Sequence, residues 1–158
     1  MSEKPDAVAR VEADAEANGL KIVVVETARS ARSAQEAAEA VGASVGQIVK
    51  SLVFRGAGSG EAYLLLVSGA NRVEEAAMAV HFGEALERPD ADFVRQATGF
   101  AIGGVSPLGT SSKLSTLMDE DLFQYATVWA AAGTPRHVFE VVPLQLRSAT
   151  GATVGRVT

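Results

Sequence analysis

Lys50 lies in the run Gln47-Ile48-Val49-Lys50-Ser51-Leu52-Val53-Phe54, among mostly apolar neighbours. If this run is a strand, Ile48, Lys50, Leu52 and Phe54 share one face, and Val49, Ser51 and Val53 share the other. Neither face is cleanly polar, so the strand is expected to be covered on both sides. An ammonium there needs an anion or an opening to water. Two readings follow. Lys50 stands at the floor of a pocket and reaches for a phosphate or carboxylate, or it is a strand-end lysine that snorkels or pairs with a structural carboxylate. A second segment with chemical potential is Gly103-Gly104-Val105-Ser106-Pro107-Leu108-Gly109. Its glycines let backbone amides approach a ligand, its proline stiffens the path, and amides so placed can face a carbonyl or a developing oxyanion. The alternative is an ordinary tight connection. The segment lacks the G-x-x-x-x-G-K-[ST] spacing of a phosphate-binding P-loop.

The third segment is Ala131-Ala132-Gly133-Thr134-Pro135-Arg136-His137, where small residues beside a turn can line a pocket. His137 can bond a substrate amine or hydroxyl, or serve only structure. Asp119-Glu120-Asp121 is a short acidic cluster that reads as the start of a helix rather than a hard-cation loop. No Ser-His-Asp set can be assigned from spacing.

Composition narrows the chemistry further. The chain has 158 residues, is 47% hydrophobic and 21% charged, and carries a net charge of −5. This describes one globular domain with a mildly acidic surface, which argues against a broad electrostatic grip on nucleic acid. With no cysteine, disulfides, thiolate metal sites and cysteine nucleophiles are excluded. His81 and His137 are the only histidines, which disfavours a multi-histidine zinc site. The charged N-terminal stretch has no signal-like apolar core, and runs such as Ala62–Val67 are far below the roughly 20 residues that span a bilayer. A soluble, cytoplasmic protein without a membrane partner is expected.

These segments need elements to position them. Val8, Val11 and Ala15 predict an amphipathic helix from about Ser2 to Asn18. Lys21–Glu26 reads as a strand. Ser33-x-x-Glu36 is a capping box that opens a helix over Ala34–Val41, which Gly42 ends. Val45–Ile48 fits one short turn. Strands Ile48–Arg55 and Glu61–Gly69 flank a GAGSG hairpin loop. Asn71 is placed to cap a helix over Val73–Phe82. A short strand follows at Glu84–Arg88, then a helix from Pro89-Asp90 to Ala97. Leu114–Met118, Tyr125–Ala130, His137–Val141 and Thr153–Val157 read as strands, Asp119–Leu122 as a turn and Pro143–Ala149 as a helix. The fold class is α+β: a single domain with a mixed, largely antiparallel curved sheet flanked by helices.

In their order and separation, Gly46–Phe54, the G-x-x-x-P core of Gly103–Gly109, and Trp129–Pro135 with His137 resemble the YbaK / prolyl-tRNA-synthetase-associated editing-domain family. The resemblance spans about Ala7 to Val157. It implies a free-standing trans-editing enzyme that hydrolyses the ester between a wrong amino acid and the terminal ribose of a tRNA. By the resemblance, Lys50 meets the phosphate of the terminal adenosine. Backbone amides of Gly103, Gly104, Val105, Ser106 and Pro107's loop hold the aminoacyl carbonyl. Ser51, Gly109, Gly133, Thr134 and His137 border the substrate. No protein nucleophile, metal or cofactor is implied; a ribose hydroxyl and a bound water take part.

An aminoacyl ester is already activated, so positioning and oxyanion stabilisation can suffice. Some alanine-specific members carry asparagine where Ser51 stands, and the tyrosine of cysteine-specific members has no match in Glu26–Ser30. The expected substrate is therefore a small side chain: alanine, serine or threonine. The expected partner is the aminoacyl-tRNA acceptor end, supplemented by a synthetase or elongation factor; no DNA partner is expected. Two other functions compete: a non-catalytic module that binds a nucleotide or tRNA end, and a hydrolase of another small ester or amide.

Overall fold

The computed structural model describes residues 4–158. Helix α1 (Asp6–Ala17) buries Val8, Val11 and Ala15, the stripe its spacing predicts. The predicted start at Ser2 lies outside the described residues. Strand β1 (Val24–Glu26) is shorter than expected, because β7 pairs with only these three residues and Val23 stays exposed. Helix α2 (Ala34–Val41) has the expected Ser33 cap, whose hydroxyl accepts from the Glu36 amide at 3.1 Å, and Gly42 ends it in the left-handed conformation.

The hairpin β2 (Val49–Gly56) and β3 (Ala62–Ser68) is the spine of the molecule. A 3-10 turn (Glu75–Met78), α3 (Ala79–Phe82), β4 (Leu86–Glu87) and α4 (Ala91–Thr98) follow. Asp90 caps α4 by accepting from the Phe93 amide at 2.8 Å. The chain continues through β5 (Ser115–Asp119), a 3-10 turn (Glu120–Gln124), β6 (Val128–Ala131), β7 (His137–Val141), α5 (Pro143–Thr150) and β8 (Thr153–Gly155).

Two sheets result. The larger runs β4-β2-β3-β5-β8 and the smaller β1-β7-β6. Pairing is antiparallel except at β3–β5 and β5–β8. A parallel bridge between Ile48 and Trp129 brings the two sheets together, so the whole surface curls. The α+β class and flanked, curved sheet stand as expected.

Both faces of the β2–β3 hairpin are covered, as the mixed pattern around Lys50 required. Val49, Leu64 and Leu66 pack with Val94, Val105 and Leu108 on one face. Phe54, Leu65 and Val67 pack with Met78 and Leu117 on the other. The expected helix over Val73–Phe82 is corrected to a 3-10 turn running into four α-helical residues. Asn71 does not cap it. Its carboxamide is drawn instead to two aspartates, donating to Asp119 at 2.9 Å and Asp121 at 2.7 Å.

Candidate functional site: an open strand edge beneath a glycine loop

Strand β2 has β3 along one edge, but its other edge is only partly covered. The bridge at Ile48 closes one end, and β4 pairs only with Arg55 and Gly56 at the other. Between them the edge is bare. The Gly69 amide donates to the Ile48 carbonyl and the Gly56 amide to the Glu61 carbonyl, so even-numbered residues of β2 aim their backbone groups at β3. By the alternation of a strand, the backbone N–H and C=O of Ser51 and Val53 face the open side.

A cleft of about 770 Å³ occupies this gap. Its border includes Lys50, Arg32, Arg72 and Arg88, the last already paired with Glu75 at 3.2 Å, and no Asp or Glu among the described residues. An acidic protein thus presents a cationic cleft.

Neighbours in sequence, Lys50 and Ser51 point to opposite faces of β2. Lys50 lies opposite Val67, whereas Ser51 lies opposite Leu66 on the side of the glycine loop. The Lys50 ammonium donates to the backbone carbonyl of Asn71. That carbonyl is held in place by the Asn71 carboxamide, which Asp119 and Asp121 anchor; Asp119 is fully buried and also accepts from the Ser68 amide at 3.0 Å. No carboxylate among the described residues bonds Lys50 directly. Burial and the nearby Arg72 guanidinium push its pKa below the ordinary lysine value, against the opposing pull of Asp119. An ammonium in this setting gains from an arriving anion.

Two loops form the opposite wall. Gly103 and Val105 line the cleft, as does Thr134. Gly104 sits just behind, where a Cβ would come 2.7 Å from the Gly133 carbonyl oxygen and 2.9 Å from Thr134 Cα. Gly133, at φ +105°, packs against the Ala7 backbone. Glycine at both positions lets the two loops and α1 lock together. The Gly104 amide donates to the Ala101 carbonyl at 3.0 Å. The amides of Gly103 and Val105 have no acceptor among the described residues.

Other expected site residues stand away from the cleft. Ser106 is buried, and its hydroxyl accepts from the Leu108 amide at 3.2 Å. Pro107 faces a smaller groove on the far side of the loop. The Gly109 amide donates to Asp14 at 2.7 Å, tying the loop to α1. Both ring nitrogens of His137 are engaged within the protein, Nδ1 by the Thr134 hydroxyl at 2.5 Å and Nε2 by Glu26 at 3.3 Å. That imidazole pins the turn to β1.

Sequence reasoning missed Asn71 and Asp119 as supports for Lys50. The available signal was a charged residue directly after the apolar pair Leu117-Met118 at the end of the strand Ser115–Asp119. It also missed Arg72, which follows Asn71. The acidic cluster does start a helical turn, since Asp119 accepts from the Asp121 amide at 2.9 Å. No cluster fit to hold a metal occurs among the described residues. No helix among them is long and apolar enough to cross a membrane.

The fold is thus a curled α+β sheet with a cleft bordered by basic side chains at an open strand edge, facing a glycine loop. The aminoacyl-tRNA editing domain matches residues 28–149, and the chain belongs to that family. It is similar along its whole length to a crystal structure reported as a candidate trans-editing enzyme for prolyl-tRNA synthetase. The two are 47% identical with a TM-score of 0.92, covering 99% of each chain. The hypothetical protein APE2540 is 28% identical at a TM-score of 0.86, over 94% of this chain and 98% of its own. The uncharacterized protein YwhH of Bacillus subtilis is 31% identical over 106 residues, 67% of each chain.

Proposed function

We propose that this protein is a trans-acting aminoacyl-tRNA deacylase that removes a small amino acid, of the size of alanine, serine or threonine, from mischarged tRNA. The observation that carries this reading is the cationic cleft, free of carboxylates, at the bare edge of β2 in a member of the editing-domain family. The Lys50 ammonium, held by the Asn71 carbonyl and with no ion-pair partner among the described residues, receives the phosphate of the terminal adenosine, with Arg72 beside it. The aminoacyl group then crosses the edge of β2 to the side of Ser51 and the glycine loop.

There the unengaged amides of Gly103 and Val105 donate to the ester carbonyl oxygen. Water adds to the carbonyl carbon, and the negative charge that forms on its oxygen is met by these donors. One such donor is worth about 2.7–4 kcal/mol in a well-studied protease. As the intermediate collapses, the bond to the ribose oxygen breaks. That oxygen takes up the proton released by the water, giving free amino acid and tRNA. His137 stays in the turn that supports this wall, and Ser106, Pro107 and Gly109 hold the loop's path from behind. The setting is the cytoplasm, where tRNA is charged, and the proposed partner is the acceptor end of tRNA, delivered by a synthetase or elongation factor.

The test is a deacylation panel of Ala-, Ser-, Thr-, Cys- and Pro-charged tRNAs, including mismatched pairs. Rapid loss of a small amino acid, strongly reduced in Lys50→Ala, supports the reading. Binding of tRNA without loss of any ester sinks it and indicates a binding module instead.

A further inference from the structure

Ser51 carries the one buried side-chain oxygen or nitrogen among the described residues that has no hydrogen-bond partner. A buried hydroxyl that the protein leaves unmatched has hydrogen-bonding capacity to offer a ligand in the adjoining cleft. Its surroundings define what that ligand offers. On its face of β2 it is flanked by Val49 and Val53, opposite Leu66 on β3, in the packing layer that also holds Val105. No carboxylate borders the cleft among the described residues. A substrate's α-ammonium would be stripped of water there for a single neutral oxygen, which is unfavourable. A neutral hydroxyl needs only one such partner.

Building on the deacylase reading above, we infer that the Ser51 hydroxyl bonds a hydroxyl on the substrate's own side chain, so that the site takes seryl or threonyl esters in preference to alanyl. The α-ammonium remains toward the open mouth of the cleft. A site with a buried group waiting for a hydroxyl discriminates against an analogue that lacks it, because the group is then left unpaired.

The experiment compares kcat/KM for one tRNA charged with serine or alanine, and again with threonine or 2-aminobutyrate, which differs from threonine by bulk as well as by the hydroxyl. Wild type and Ser51→Ala are measured side by side, with thermal melting of both. The expected result is a preference of about 10-fold or more for the hydroxylated member of each pair, falling toward unity in Ser51→Ala. The Ser51→Ala melting temperature should be unchanged or higher, since the substitution removes an unmatched buried hydroxyl. A purely structural serine would instead give a lower melting temperature and an unaltered ratio. Equal hydrolysis of seryl and alanyl tRNA by the wild type, or a preference that persists in Ser51→Ala, overturns the inference while leaving the deacylase reading intact. No hydrolysis of any ester overturns both.

Discussion

The two ends of the β2–β3 hairpin are built from similar materials and handle them differently. At the turn, Glu84 accepts from the Gly58 and Ser59 amides, both at 2.9 Å, from the Ser59 hydroxyl at 2.5 Å and from the Tyr63 hydroxyl at 2.6 Å. These bonds hold its carboxyl down at a pKa of about 2, and the Tyr63 phenol is raised in turn. Every polar group of this clasp is matched within the protein. At the opposite end, among the described residues, Lys50 bonds only a carbonyl, the Ser51 hydroxyl has no partner, and the strand edge is bare. The difference separates the two ends: one closes the hairpin on itself, and the other leaves charge and hydrogen-bonding capacity unmatched by the described residues, which is where the proposed function places the ligand.

The largest effect that sharpens this contrast is expected at Lys50. A charge-assisted hydrogen bond contributes about 1.5–3 kcal/mol, so Lys50→Ala should lower deacylation kcat/KM about 10- to 100-fold. Its circular dichroism and melting should stay near wild type, since the ammonium has no carboxylate partner among the described residues to abandon. Wild-type turnover by this variant would remove Lys50 from the site.

Next in size is Gly104→Ala. The added methyl meets backbone of Gly133 and Thr134, which cannot swing away as a side chain can. Overpacking of this kind costs about 1–3 kcal/mol, and the glycine wall should shift with it. Urea unfolding and deacylation should both suffer; full activity in a destabilised variant would show that the wall's position is irrelevant.

A smaller and more graded effect concerns pH. Burial and Arg72 lower the Lys50 pKa from 10.5, and an anion needs the ammonium form. Affinity for adenosine 5′-monophosphate should therefore weaken as pH rises toward that lowered value, earlier than an ordinary lysine would allow. In Lys50→Arg, calorimetric titration should show a flat profile over the same range, because a guanidinium stays charged.

The smallest effect belongs to the clasp. A carboxyl whose folded pKa is lowered from 4.5 to about 2 contributes stability that is fully present above about pH 4.5 and is lost as pH falls toward about 2. Glu84→Gln should flatten that acid limb in denaturant titrations while leaving deacylation at neutral pH untouched. A matching loss of activity would dissolve the distinction between the two ends.

Local signals made much of the fold legible. The Ser33 cap, the stripe Val8–Val11–Ala15 and the glycine-rich hairpin each rest on neighbours in sequence and appear as expected, although the Glu36 carboxylate does not complete the box by reaching back to the Ser33 amide. Lys50 was legible because an ammonium between apolar residues is costly without a partner. Asn71 misled because its type suits a helix cap, yet its carboxamide is claimed by Asp119 and Asp121, some 50 positions away. His137 was equally ambiguous, since its partner Glu26, on the neighbouring strand β1, is far away in sequence. The unmatched state of the Ser51 hydroxyl and the bare edge of β2 depend on what fails to pair, which no short stretch of sequence records.

The most direct test of the account maps where a ligand lands. Backbone amide NMR would follow the protein as it receives an adenosine 5′-monophosphate bearing a seryl group through a non-hydrolysable 3′-amide. The account predicts shifts at Lys50–Val53, Arg72 and Gly103–Val105, with Gly58, Ser59 and Tyr63 unmoved. Shifts concentrated at the Glu84 clasp, or none along the edge of β2, would contradict it.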